Sequence, residues 1–177
     1  MHIVECNYDR HAVTILNILN DTIVNSTAIY DYEPRPLTAM EGWFAAKAGG
    51  RFPVIGVESE KGELMGFASY GTFRAWSGYK YTVEHSVYVA REFRGCGVGF
   101  MLMQDLISRA RAQDYHVMVG GLDAENAASV ALHRKLGFEY AGAIKQAGFK
   151  FGRWLDLVFY QLVLETLSQP ETQVSDQ

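Results

Sequence analysis

Two cysteines, Cys6 and Cys96, are all that this 177-residue chain contains, and they stand far apart, one of them inside a glycine turn. A disulfide framework is therefore excluded as a source of stability. No apolar run approaches the roughly twenty residues that a membrane-spanning helix needs. The opening Met1-His2-Ile3-Val4-Glu5 has neither a basic flank nor a signal-like apolar core. These absences lead us to expect a soluble, cytoplasmic protein that engages no membrane. Positive charge is scarce as well: 16 Lys and Arg against 20 Asp and Glu leave a net charge of −4. The clustered cations that grip a nucleic-acid backbone are missing, so nucleic acid is not an expected partner, and any anionic ligand must be met by a local site. Five histidines, His2, His11, His85, His116 and His133, share no metal-ligand spacing. No metal is expected.

What is present is apolar bulk. A hydrophobic content of 49% suffices for one buried α/β core at this length but not for two ordinary domains. One domain over residues 1–167 is expected, with a polar tail over 168–177 too hydrophilic to order. Residues 2–6 read as a short strand. Ala12, Ile15, Leu16, Leu19 and Ile23 then recur at helical spacing behind Asp9 as the cap. Thr38-Ala39-Met40-Glu41 has the capping-box pattern and starts a second helix that runs to Gly49-Gly50. Residues 53–59 and 64–71 form a hairpin around Glu60-Lys61-Gly62, and a loop over 72–78 delivers the chain to a long strand over 81–89. A helix marked by Val98, Leu102, Leu106 and Ala110, a buried strand over 116–122, a helix over 126–135 and a second hairpin, 140–147 with 155–164, complete the chain.

The strand Glu84-His85-Ser86-Val87-Tyr88-Val89 leads into Arg94-Gly95-Cys96-Gly97-Val98-Gly99-Phe100, an arginine-glycine turn that opens a helix. Glycines without Cβ let successive backbone N–H groups approach phosphate oxygens, and the first helical turn adds unpaired donors with a partial positive charge. Arg94 supplies a formal cation beside them, so the segment suits a pyrophosphate. It is not a Walker loop, because Gly99 is followed by Phe100-Met101 rather than Lys-Ser/Thr. Nor does its G-x-G-x-G spacing match the dinucleotide fingerprint. Taken alone, it is also compatible with a turn that binds nothing. Cys96 reads either as a small residue filling the turn or as a thiol activated by the helix start and Arg94.

The ambiguity narrows with the second block, Asn126-Ala127-Ala128-Ser129-Val130-Ala131-Leu132-His133-Arg134-Lys135-Leu136-Gly137-Phe138, which follows the apolar segment 116–122. The two blocks together resemble the acyl-CoA-binding core of the GNAT acetyltransferase superfamily. Residues 25–30, 73–79, 82–89 and 148–156 extend that likeness: they resemble the phosphinothricin and methionine sulfoximine (methionine sulfone) N-acetyltransferases. The resemblance implies an α/β fold with a mixed central sheet of about seven strands and four flanking helices. It also implies transfer of the acetyl group of acetyl-CoA to the α-amino group of a small amino acid, and a homodimer. A peptide N-terminal acetyltransferase and a non-catalytic CoA-binding module stand as the alternatives on the same fold.

An α-amine with a pKa near 8 is mostly protonated at neutral pH and cannot attack until a base accepts a proton. Glu84, a carboxylate in an otherwise apolar strand, is the candidate, either directly or through water. The alternative is a strand carboxylate paired with Arg74 or Lys80. Backbone N–H groups of Val87, Tyr88 and Val89 can steady the thioester carbonyl if the strand splays from its neighbour. His133 stands where many relatives carry a tyrosine that protonates the departing thiolate. It reads equally as that acid and as a structural histidine bonded to the backbone. The cofactor set comprises Val87, Tyr88 and Val89, the turn Arg94, Gly95, Cys96, Gly97, Val98, Gly99 and Phe100, and Asn126, Ser129 and Lys135. Asn126 doubles as a helix cap. For the acceptor, Arg74 offers a bidentate fork to a carboxylate. Ala75 and Trp76 beside it in the loop, and His85 and Ser86, which flank the base, complete the acceptor set, and Trp76, Tyr32, Phe149 and Trp154 are candidates for an apolar wall.

Overall fold

A computed structural model describes residues 1–166, so the tail expected over 168–177 lies outside them. Chain order is β1 (His2–Glu5), α1 (Tyr8–Asn25), α2 (Thr38–Gly49), β2 (Val54–Glu58), β3 (Leu64–Thr72), β4 (Thr82–Val89), α3 (Val98–Ala112), β5 (Val117–Asp123), α4 (Ala127–Lys135), β6 (Glu139–Lys150) and β7 (Arg153–Val163). This is the expected order of elements, and both hairpins pair antiparallel.

The seven strands form one mixed sheet in the order β1-β2-β3-β4-β5-β7-β6. On one face α1 and α2 bury Ile15, Leu16, Leu19, Ile23 and Met40 against Val54, Leu64 and Phe67. On the other face α3 buries Val98, Leu102, Met103, Leu106 and Ala110 against Ile55, Ala68, Tyr70, Val83 and Met118. Each Val, Leu, Ile, Met or Phe side chain among these contributes about 1.5–3 kcal/mol when taken out of water, before conformational entropy is counted. No helix among the described residues is long and apolar enough to cross a membrane.

Two helix starts differ from expectation. The side chain of Asn7, not Asp9, caps α1 by accepting the Arg10 amide at 3.0 Å, and Asp9 sits in the first turn, where its charge complements the helix dipole. The capping box at Thr38 does not form. The helix begins one residue earlier than the pattern requires: Leu37 is its N-cap residue and Thr38 already lies inside the first turn, where its hydroxyl makes no cap hydrogen bond.

The functionally decisive feature is one interrupted strand pair. β4 and β5 are the parallel neighbours in the sheet, and their ladder consists of Thr82↔Val117, Val83↔Met118 and Glu84↔Val119. Beyond Glu84, β4 stays with β3 as far as Val89↔Gly66, while β5 stays with β7 as far as Asp123↔Leu157. The two strands therefore part, and the β5-facing edge of β4 keeps backbone groups that no ladder uses.

Candidate active site

The wedge between the parted strands opens into a cavity of about 650 Å³. β4 contributes Glu84 through Val89, the turn before α3 contributes Arg94, Gly95 and Gly97, and α3 begins with Val98, Gly99 and Phe100. α4 supplies Ser129, His133 and Lys135 behind its cap Asn126. Sixteen sequence-predicted residues thus meet at one cavity, from Glu84 to Lys135.

The turn is built as its composition requires. Gly95 and Gly97 sit at φ +78° and +84°, the left-handed region that an L side chain resists. The first backbone bond into α3 runs from the Met101 amide to the Gly97 carbonyl, so the amides of Val98, Gly99 and Phe100, three cavity-lining residues, precede the intrahelical ladder and have no partner among the described residues. Arg94 is tied by its Nε to the Val89 carbonyl at 3.2 Å and lies 3.9 Å from Asp21. Lys135 stands 4.6 Å over the Phe100 ring. Asn126 caps α4, accepting the Ser129 amide at 3.0 Å. A cradle of amides at a positive helix end with two cations beside it fits a diphosphate.

Glu84 stands where the ladder stops. It is half-buried, burial pushes its carboxyl pKa up, and the charge of Arg74 pulls the other way. Among the described residues it forms no ion pair with Arg74 or Lys80; the Lys80 ammonium lies instead 5.0 Å over the Tyr81 ring. A Cβ on Gly121 of β5 would lie 3.2 Å from Glu84 Oε1, so that glycine gives the carboxylate its room.

On the opposite face of β4, His85 meets His133 of α4. His133 is fully buried, and its Nδ1–H donates to the Ser129 carbonyl at 2.7 Å. Its Nε2 is then the acceptor for the Nε2–H of His85 at 2.9 Å, and the rings stack with centroids 4.9 Å apart. Burial drives the pKa of His85 down to about 3 and lowers that of His133, so both imidazoles are neutral. His133 is therefore bonded to the backbone, with its Nδ1–H engaged by the Ser129 carbonyl.

Three expected acceptor residues fall elsewhere. Arg74, Ala75 and Trp76 are exposed on the loop after β3 and do not line the cavity; Trp76 is 74% exposed. The Arg74 guanidinium lies 5.0 Å over the Phe73 ring, so the buried fork does not form, although its charge reaches Glu84. Cys96 is an exposed free thiol outside the cavity lining, 3.7 Å from the Arg94 carbonyl. Tyr32, Phe149 and Trp154 are exposed together: the Tyr32 hydroxyl donates to the Phe149 carbonyl at 2.7 Å, and the Phe149 and Trp154 rings meet edge to face at 5.1 Å.

Sequence reading missed a wall made by Thr22, Ser26 and Ala28 from the end of α1 and its following loop, and by Gly121, Leu122 and Asp123 from the end of β5. Gly120-Gly121 was the available signal, since two adjacent glycines inside an apolar strand imply close approach on both faces.

A sheet opened at its parallel pair, with an amide cradle at the mouth and a carboxylate of raised pKa within, defines an acyltransferase that works on a coenzyme A thioester. Residues 14–138 match the model of the Acetyltransferase (GNAT) family. The chain is 50% identical over 157 residues to the L-methionine sulfoximine/L-methionine sulfone acetyltransferase of Pseudomonas aeruginosa PAO1, covering 88% of this chain and 91% of that protein. It is 35% identical over 164 residues to the phosphinothricin N-acetyltransferase of Alcaligenes faecalis, covering 86% of this chain and 83% of that protein. The structure of a GNAT superfamily phosphinothricin acetyltransferase from Sinorhizobium meliloti in complex with acetyl-CoA superposes with a TM-score of 0.92 at 32% identity, covering 98% of this chain and 95% of that one. The chain belongs to the GNAT acetyltransferase family and is an acetyl-CoA-dependent N-acetyltransferase.

Proposed function

We propose that the acceptor is a small amino acid of the methionine sulfoximine, methionine sulfone or phosphinothricin type, acetylated on its α-amino group within a ternary complex. The observation that carries this reading is the half-buried Glu84, with its raised pKa, at the fork of β4 and β5. The names of the relatives at 50% and 35% identity point to the same acceptors.

In this reading the amides and cations from Arg94 to Phe100, with Lys135, hold the coenzyme's diphosphate, and the free edge of β4 at Val87 to Val89 meets the thioester carbonyl. Glu84 accepts one proton from the acceptor's ammonium, directly or through water. The amine nitrogen then bonds to the carbonyl carbon, and the carbon–sulfur bond breaks. The sulfur leaves with the electron pair, and the amine's second proton balances the thiolate. Arg74, outside the cavity lining but close enough for its charge to act on Glu84, is the cation toward which the acceptor carboxylate is drawn. His133 positions the first turns of α4 through Ser129 rather than donating a proton.

Acetyl transfer followed by release of free thiol, on a panel of the three amino acids and an N-terminal peptide, tests the proposal. Turnover is expected on the amino acids; preference for the peptide overturns it.

We also propose a homodimer that covers the exposed aromatic face of Phe149, Phe151 and Trp154. Light scattering is expected to give twice the chain mass, and Trp154→Glu is expected to shift the population to monomer. A monomeric wild type at micromolar concentration contradicts this.

A further inference from the structure

Lys150, the last residue of β6, is 4% exposed, and its ammonium meets three backbone carbonyls: Ile23 at 2.5 Å, Ile29 at 2.6 Å and Ser26 at 2.9 Å. An ammonium has three N–H donors, so the three carbonyls satisfy it completely. Among the described residues no carboxylate forms an ion pair with it. Burial disfavours the ammonium more than the charge of Asp31 favours it, and a buried cation is costly unless its hydrogen bonds are all made, as they are here.

The location gives these bonds their meaning. α1 has no basic residue in its last turn, where carbonyls of the helix end are unpaired and the dipole is negative. The cation missing from that turn arrives from a strand 127 positions further along. Its three bonds curl segment 23–29 around one ammonium. Ser26 and Ala28 of that segment line the cavity, with Thr22 one turn earlier. On the inner side the Thr27 hydroxyl donates to the buried carboxylate of Asp123, two residues from the glycine that abuts Glu84. The wall at the Glu84 end of the cleft is thus held twice, by Lys150 from outside and by Thr27 from inside. The diphosphate end is built mainly by the turn before α3 and the start of α4; α1 reaches it ahead of segment 23–29, where Asp21 lies 3.9 Å from Arg94.

We infer that Lys150 is a positioning residue for the acceptor end of the cleft, holding the wall of segment 23–29 against Asp123 while leaving the coenzyme end untouched. The inference rests on the acetyl-transfer reading above for its kinetic consequence but not for its structural one.

Two measurements test it. In steady-state assays with acetyl-CoA and methionine sulfone varied separately, Lys150→Met is expected to raise the KM for the acceptor about tenfold and to change that for acetyl-CoA by less than about twofold. Lys150→Arg keeps the charge, but its planar fork cannot meet three converging carbonyls, so it is expected not to restore the acceptor KM. Thr27→Val, which cuts the inner tie, is expected to give the same one-sided rise. Combining it with Lys150→Met should cost less than the product of the two, since both release one wall. An unchanged acceptor KM in Lys150→Met, or equal rises for both substrates, overturns the inference; should that variant fail to fold, Thr27→Val is judged by the same criteria. Hydrogen exchange supplies the second measurement and needs no turnover: amides of segment 23–29 should exchange at least tenfold faster in Lys150→Met than in wild type, with α3 unchanged. Equal exchange overturns the inference even if wild type acetylates none of the amino acids, a result that would by itself defeat only the proposed acceptor.

Discussion

Replacing Glu84 with Gln is expected to lower kcat by about 10²-fold or more, the range that a positioned general base supplies, while the Kd for acetyl-CoA stays within about twofold of wild type. The amide keeps the size of the carboxyl and the room that Gly121 leaves for it, but it accepts no proton from an ammonium. The pH profile gives the same test a sign. Burial raises the Glu84 pKa, the charge of Arg74 opposes the rise, and the net direction is upward. The active form is the ionised carboxylate, so kcat/KM should climb with pH through an acidic limb lying above the ordinary glutamate value of about 4.3, and the limb should vanish in the Gln variant. Stability runs the other way. A carboxyl whose pKa is higher in the folded state stabilises the fold fully below its unfolded pKa, and that contribution is lost as pH rises through the folded pKa. At neutral pH wild type carries a partly desolvated charge that Gln lacks. The variant should therefore melt no lower than wild type, which separates lost chemistry from lost structure. An unchanged kcat removes Glu84 from the mechanism.

The parts of this cleft that follow local rules were legible in the sequence. Apolar residues at 12, 15, 16, 19 and 23 have helical spacing, and α1 buries that face. Glycines at 95 and 97 announce positive φ, and both adopt it. Glu84 in a β-branched strand announces a carboxyl of perturbed pKa. Features set by long-range partners were not legible. Asn7 takes the cap from Asp9 because the chain leaves β1 with Asn7 extended, and only the fold determines where that bend falls. Arg74 resembles a carboxylate fork in sequence, yet the loop after β3 holds it over Phe73, outside the cavity lining. Lys150 stood in the sequence as one cation in an aromatic hairpin. Its partners lie at the end of α1 and in the loop that follows, which only the fold brings beside β6. A histidine at position 133 leaves its role open until the second histidine, on β4, is found 2.9 Å away.

That histidine pair makes adjacent glycines separable by experiment. Gly120 and Gly121 occupy successive positions of β5, and successive strand residues face opposite sides of the sheet. A Cβ at position 120 would stand 2.6 Å from His85 Nε2 and 2.8 Å from His133 Nε2, inside the hydrogen bond that joins the two rings. Neither ring can yield cheaply. His133 is anchored to Ser129, and both rings pack edge to face on Phe138, with centroids at 5.5 Å for His85 and 5.0 Å for His133. Gly120→Ala should therefore cost about 1–3 kcal/mol through forced displacement in a packed interior. For a chain of this size each kcal/mol corresponds to a fall in melting temperature of about 2–4 °C. The displaced His133 should also shift the helix that carries it, α4, which lines the coenzyme end of the cavity, so acetyl-CoA should bind more weakly. On the other face a Cβ at position 121 would meet Glu84 Oε1 at 3.2 Å and the Leu157 and Phe159 side chains at 3.5 Å, contacts that a shift of a few tenths of an ångström relieves. Gly121→Ala should accordingly leave the melting temperature close to wild type and lower kcat by moving the carboxylate. If thermal unfolding finds both variants equally stable, the imidazoles are free to part and their bond does not hold β4, β5 and α4 in register; if Gly121→Ala retains full kcat, the base tolerates displacement and its placement beside that glycine is incidental to the rate.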